Sequence, residues 1–248
     1  MALLEVKNLV KDFGGLRAND DITFQLAPGE LLGLIGPNGA GKTTLFNCIA
    51  GKHPVTSGQI VFDGEDITAL KAPEVARRGL ARTFQVYAAS GDLTVRENVM
   101  VGCFMRTPSR RIAGEKADTI LADLNLTASA DKYVSELPVA AQKKVTMATA
   151  LGTRPKLLLL DEVAAGLNPG EIEEIMASIR HIHHQLGVTV ILIEHVMELV
   201  MRTSDRLIVL DYGRKIAEGL PDDIARNPQV IKAYLGDRYV KEHGGEVG

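Results

Sequence analysis

Three features of the sequence predict an α/β fold with a mainly parallel sheet. ELLGLI (30–35), KLLLLD (156–161) and TVILIEH (189–195) are continuous apolar runs of strand length, the pattern of strands buried on both faces. Between the last two lies EIEEIMASIRHIHHQLG, where Ile172, Ile175, Met176, Ile179, Ile182 and Leu186 fall at three- and four-residue steps and make one apolar helical stripe. Strand, helix, strand in that order implies a parallel crossover. The third feature is GPNGAGKTT (36–44), a glycine-rich stretch ending in a lysine and two hydroxyls, set between the ELLGLI strand and a helix-compatible TLFNCIA.

The remaining elements follow in chain order. ITFQL (22–26) alternates, with Ile22, Phe24 and Leu26 on one face, and reads as a half-buried strand. GQIVFDGEDI carries the turn pair Asp63-Gly64, so the N-terminal region is expected to hold an antiparallel sheet. Residues 88–154 are helix-friendly, with breakers at Pro108, Gly114 and Pro138, and read as an inserted α-helical subdomain. LIVLDYGRKIAEG (207–219) is a hairpin turning near Asp211-Tyr212-Gly213. The expected organisation is one domain over 1–236, with 1–87 and 155–220 forming the α/β core and 221–248 a C-terminal helical tail that frays at its end.

Composition narrows the function. A hydrophobic fraction of 46% with 24% charged residues is that of an ordinary soluble domain, and 248 residues suffice for a sizeable core. The net charge of -3 argues against a non-specific grip on nucleic acid, which needs a basic face. Cys48 and Cys103 are the two cysteines; with no CxxC spacing they indicate neither a disulfide framework nor a zinc site. The N-terminus carries charges too early for a signal peptide, and no apolar run approaches the roughly 20 residues of a membrane span.

The chemistry starts at GxxxxGK[ST], which spans Gly36 to Thr43. Gly39 and Gly41 let the chain curl until successive N–H groups face inward, and the following helix adds its positive end, so Gly36, Pro37, Asn38, Gly39, Ala40, Gly41, Lys42, Thr43 and Thr44 form a candidate phosphate cradle. This is the P-loop of an NTPase core. Lys42 is suited to bridging β- and γ-phosphates of ATP, and the Thr43 hydroxyl to ligating Mg²⁺. Asp161 ends a buried strand and is a second candidate metal ligand; Glu162 follows as candidate general base.

These motifs resemble the ATP-binding subunit of ABC transporters over nearly the whole chain. By that resemblance Gln85 in ARTFQ is the family's Q-loop glutamine, touching Mg²⁺ and the water, and His195 in LIEH is the switch histidine that donates to the γ-phosphate. AAGLN (164–168) resembles the loop that signals across the nucleotide-binding dimer, and Phe13 in KDFGG is placed like the aromatic that stacks on adenine. FGGLRA (13–18), IGPNGAGKTTLFN (35–47), DEVAAGLNP (161–169) and NPQVIKAYLG (227–236) are similar to the branch that imports branched-chain, hydrophobic amino acids. The resemblance implies ATP hydrolysis with Mg²⁺ at the cytoplasmic face of the inner membrane, driving import of branched-chain or other hydrophobic amino acids or related amides. It also implies transmembrane permease subunits, an extracytoplasmic substrate-binding protein and a second ABC ATPase subunit as partners.

One motif departs from the family. Its signature, LSGGQ or LSYGQ, falls at Pro138-Val139-Ala140-Ala141-Gln142, with Val139 in place of the serine and Ala140 and Ala141 in place of the glycines. In the family this segment opens a helix facing ATP held by the opposite subunit. Val139 removes a hydroxyl and is a poor N-cap, and each alanine adds a Cβ at a close approach. A heterodimer with one competent and one impaired site is therefore expected. A soluble ABC-type ATPase acting on a protein assembly, a slow nucleotide-binding regulator, and an exporter ATPase of a related branch share the same motifs. His181, His183 and His184 are read as a solvated polar face rather than a metal site, and residues near 86–105 as the region that meets the membrane partner.

Overall fold

The structure, a computed structural model, describes residues 1–83 and 89–234. It contains two compact units: Met1–Ala72 with the segment from Ile191 onward, and Pro73–Val190.

The first unit opens with a strand that sequence periodicity does not reveal. β1 (Leu4–Phe13) buries Leu4, Val6 and Leu9, but its register against β2 (Leu16–Leu26) shifts between Val6 and Leu9, and Asn8 takes φ 48°. That irregularity breaks the two-residue alternation. β2 buries Ile22, Phe24 and Leu26 as expected and pairs antiparallel with β1 (Leu4↔Leu26, Val6↔Phe24). β3 (Leu31–Ile35) is buried throughout and leads through the glycine-rich loop into α1 (Lys42–Ile49). β4 (Ser57–Phe62) pairs antiparallel with β1, and β5 (Glu65–Asp66) folds back on it across Asp63-Gly64. Both turn residues have positive φ, 51° and 80°, as a tight hairpin requires.

The second unit begins around α2 (Ala72–Arg77) and β6 (Leu80–Arg82). The predicted helical segment supplies α3 (Val95–Phe104), α4 (Arg110–Asp123) and α5 (Val139–Gly152). Thr94 and Glu97 form a capping box at the start of α3, and Ser109 caps α4. α3 lies directly against α5. A Cβ on Gly102 would stand 2.0 Å from the Thr149 carbonyl, and one on Gly152 would stand 2.9 Å from the Val99 carbonyl. Gly114 does not break the chain but sits inside α4, whose buried Ala113, Ala117 and Leu121 outweigh the roughly 1 kcal/mol that a helical glycine costs.

β7 (Leu157–Asp161) pairs in parallel with β6, Leu80 opposite Leu157 and Arg82 opposite Leu159. α6 (Pro169–Arg180) starts at a capping box of Asn168 and Glu171 with proline in its first turn. The predicted stripe holds at Ile175, Met176, Ile179 and Ile182, but Leu186 is exposed. The cause is a π-helical segment, His181–Gln185, which changes the angular step after Arg180. The same change turns His183 inward to 6% exposure, correcting the solvated face expected of the three histidines, while His184 stays exposed.

β8 (Thr189–Ile193) carries the chain back to the first unit, followed by α7 (Met197–Thr203) and β9 (Arg206–Asp211), which runs parallel to β3. β10 (Arg214–Gly219) returns antiparallel to β9 through Tyr212 and Gly213, both at positive φ. α8 (Pro221–Ala225) and a helix over residues 228–234 follow, and Ile224 and Val230 pack with Ile35, Val200, Leu207 and Val209. The described part of the tail, up to residue 234, is thus part of the core beneath the end of β3, and the fraying expected of its end falls on residues outside those described. Cys48 and Cys103 are both buried and free, and burial pushes the Cys48 thiol up to about 11, which keeps it protonated and inert. Among the described residues no helix is long and apolar enough to cross a membrane.

The glycine contact between α3 and α5 can be checked. Gly102→Ala should force backbone apart and lower unfolding free energy by about 1–3 kcal/mol, read as a lower urea midpoint with an unchanged slope.

Candidate functional site

The phosphate loop is built by close backbone approaches in the first unit. Gly36, Gly39 and Gly41 have φ of 147°, 81° and 97°. A Cβ on Gly36 would meet the Leu210 carbonyl at 2.1 Å, and one on Gly41 would meet the Ala18 carbonyl at 2.4 Å, so neither position tolerates a side chain. Gly41 is the N-cap of α1, whose first N–H groups have no carbonyl one turn earlier to bond. Asn38 and Gly39 form the exposed crest, Ala40 is buried, and Thr43 is exposed on the first turn of the helix. Pro37 and Thr44 are partly covered.

Lys42 is only 6% exposed, and its Nζ donates to the carbonyls of Gly36 (2.6 Å) and Pro37 (3.0 Å). The ammonium is held inside the curl of its own loop, a concentrated positive charge among converging backbone dipoles. That is the chemistry of a polyphosphate site.

Residues with no motif support this loop. Asn19, fully buried, donates from Nδ2 to the Gly41 carbonyl at 3.1 Å. Gly213 donates its N–H to the Ala40 carbonyl and accepts from the Asp20 N–H, so the β9–β10 turn braces the loop from behind. Tyr234, on the 228–234 helix, hydrogen-bonds the Gly36 backbone; burial pushes its phenol up and that bond opposes the shift. The only local sign of these supports in the sequence is the Tyr212-Gly213 turn.

Phe13 stands at the β1–β2 turn and is 43% exposed. The Lys11 ammonium lies 4.7 Å from the ring centroid and His53 meets the ring edge-on at 5.4 Å. His195 is exposed two residues beyond β8, its N–H bonded to the carboxylate of buried Glu194 at 3.2 Å. The first unit thus carries the glycine loop, Lys42, Phe13 and His195. Gln85 lies outside the described residues.

In the second unit, Asp161 ends β7 with 2% exposure. Its Oδ2 accepts from Arg82 Nη2 at 2.7 Å in a pair whose side chains are 7% and 0% exposed. Its N–H donates to the Thr83 hydroxyl at 3.3 Å. Asp161 Oδ1 is buried with no hydrogen-bond partner among the described residues. A buried carboxylate oxygen left over after its twin is neutralised suits a cation shell, so the residue fits the metal role expected of it. Glu162 follows at φ 51°, the left-handed region that costs a non-glycine residue about 1–2 kcal/mol.

The signature segment differs from expectation at one position. α5 starts at Val139, and its N-cap is Pro138 (φ -57°, ψ 154°), which contributes no side-chain hydrogen bond. Proline suits a helix start because its φ is already set. The cap is therefore Pro138, and Val139, at the family's serine position, is a first-turn residue with 39% exposure rather than the N-cap. Ala140 is buried, Ala141 partly so, and Gln142 donates its side-chain N–H to the Leu137 carbonyl at 2.8 Å.

A glycine-curled loop around a buried lysine at a strand–helix junction, with a separate strand ending in a buried aspartate and a glutamate, defines an ATP-binding P-loop ATPase. A family model described as ABC transporter matches residues 19–165, and one described as branched-chain amino acid ATP-binding cassette transporter matches residues 214–240. The high-affinity branched-chain amino acid transport ATP-binding protein BraF of Pseudomonas aeruginosa is 41% identical, covering 95% of this chain and 98% of that protein. LivG of Escherichia coli K12, with the same description, is 40% identical over the same shares. A crystal structure of a nucleotide-free ATP-binding cassette from an ABC transporter superposes with a TM-score of 0.87 at 31% identity, covering 96% of this chain and 100% of that one. An ADP-bound cassette gives 0.87 at 32% identity over the same shares. The chain belongs to the ABC transporter ATP-binding family.

Arg82 joins the site because its charge neutralises Asp161. Arg82→Met should leave that buried carboxylate uncompensated and cost about 3–5 kcal/mol, measured by chemical denaturation, with adding Asp161→Asn recovering part of the loss.

Proposed function

We propose that this chain is the ATP-hydrolysing motor subunit of an importer for branched-chain or other hydrophobic amino acids. The observation that supports the cargo is the C-terminal match at 214–240 to the branch-specific model, joined to end-to-end similarity with BraF and LivG. In this reading Lys42 and the amides around it clamp the β- and γ-phosphates, Phe13 stacks on adenine, and His195 donates to the γ-phosphate. Glu162 aligns and deprotonates the attacking water. Thr43, Gln85 and Asp161 would hold Mg²⁺, which neutralises charge on the β- and γ-oxygens when bound.

The work is delivered to permease subunits at the cytoplasmic face of the membrane, supplied from the other side by a substrate-binding protein. α3 presents Val101 and Phe104 to solvent at a three-residue spacing, with Met105 next, and this apolar strip falls in the region assigned above to the membrane partner. The altered signature, Pro138 to Gln142, supports a heterodimer with a second ATPase that carries the complete motif.

Two measurements on the reconstituted complex test this. Glu162→Gln should lower ATP hydrolysis by at least a hundredfold, while the equivalent change in the partner ATPase is far milder; equal damage from both rules out asymmetric sites. Loading the receptor with leucine should stimulate hydrolysis and drive uptake into vesicles, and no stimulation by any hydrophobic amino acid excludes this cargo.

A further inference from the structure

Two adjacent lysines on α5 are held by different neighbours. Lys144, 8% exposed, lies 3.8 Å from Glu174 on α6, an anchor between two helices. Lys143 points to the loop that follows β7. Its Nζ donates to the Ala165 carbonyl at 2.6 Å and reaches the Glu162 carbonyl at 3.4 Å.

We propose that Lys143 is a positioning residue for Glu162, setting the backbone from which that carboxylate is delivered to the attacking water. The inference rests on the reading of Glu162 as general base. Its physical ground is the strained conformation of Glu162, whose φ of 51° persists only while the surroundings over-determine it. The loop is fixed at its far end by the Asn168–Glu171 capping box and in its middle by buried Val163 and Ala164. At its near end the Glu162 carbonyl accepts from Lys143 and, at 3.4 Å, from the Ala165 N–H. Lys143 holds both ends of that turn with one full charge, and a charge-assisted donor is about twice as strong as a neutral one. Removing it frees the peptide after Glu162 to rotate, which swings the carboxylate. A misplacement of about 1 Å is enough to cost roughly a hundredfold in rate.

The test uses the assembled transporter and compares Lys143→Met, Lys143→Arg, Glu162→Gln and the Met/Gln double variant. Lys143→Met should lower kcat about 10- to 100-fold with KM for ATP within twofold. Lys143→Arg, which keeps charge and donors, should restore most of kcat. The double variant should be no slower than Glu162→Gln alone, because groups acting through one another are non-additive. Should Lys143→Met not fold, Lys143→Gln replaces it and should show the same split of kcat from KM. The proposal is overturned if the apolar variant keeps wild-type kcat, if arginine gives no rescue, or if the double variant loses a further tenfold. Wild-type turnover by Glu162→Gln would instead remove the general-base reading itself, and the positioning role with it.

Discussion

Backbone crowding around the phosphate loop is the constraint on which the rest of the site depends. Gly36 and Gly41 press against the carbonyls of Leu210 and Ala18, so the loop's curl is set by neighbouring strands rather than by its own sequence alone. Those strands form its frame: β3 and β9 run parallel with Ile35 opposite Val209, and the Tyr212-Gly213 turn reaches the Ala40 carbonyl. Once that frame exists, Lys42 has nowhere to go but inward, onto the carbonyls of Gly36 and Pro37. A charge that buried needs partners, and here the loop itself supplies them.

The second unit solves a related problem with opposite sign. Asp161 is carried into an apolar strand end, where an isolated carboxylate would be costly, and Arg82 from the neighbouring strand neutralises one of its oxygens. The pairing of β6 with β7 is therefore as much an electrostatic arrangement as a packing one. It leaves Oδ1 available, and the chain turns immediately into the strained backbone of Glu162. Buried charge, one oxygen without a hydrogen-bond partner among the described residues and a left-handed residue in succession make β7's end a candidate functional site.

Wherever a local rule was strong, the sequence reading and the structure agree. The apolar runs at 31–35, 157–161 and 189–193 are buried strands, and the Asp63-Gly64 and Tyr212-Gly213 turns close hairpins. Where several weak signals compete, local pattern does not decide the structure. β1 is hidden by the irregularity at Asn8, α4 tolerates Gly114 because of its buried face, and the π-helical turn after Arg180 exposes Leu186 and buries His183. The N-cap of α5 is Pro138 rather than Val139, because its ψ of 154° lies outside the helical range and the helix begins one residue later.

The sequence by itself determined the candidate site groups: GPNGAGKTT, Asp161 and Glu162 stand in short segments whose spacing, strand context and chemistry are local. Only tertiary structure decided which remote residues contact those segments. Asn19, Arg82, Lys143, Gly213 and Tyr234 come from distant parts of the chain, and each acts through one or two hydrogen bonds or an ion pair, Gly213 with its backbone and the others with their side chains. No periodicity or motif records such a contact, because it depends on where two remote backbones meet and not on the residues adjacent to either.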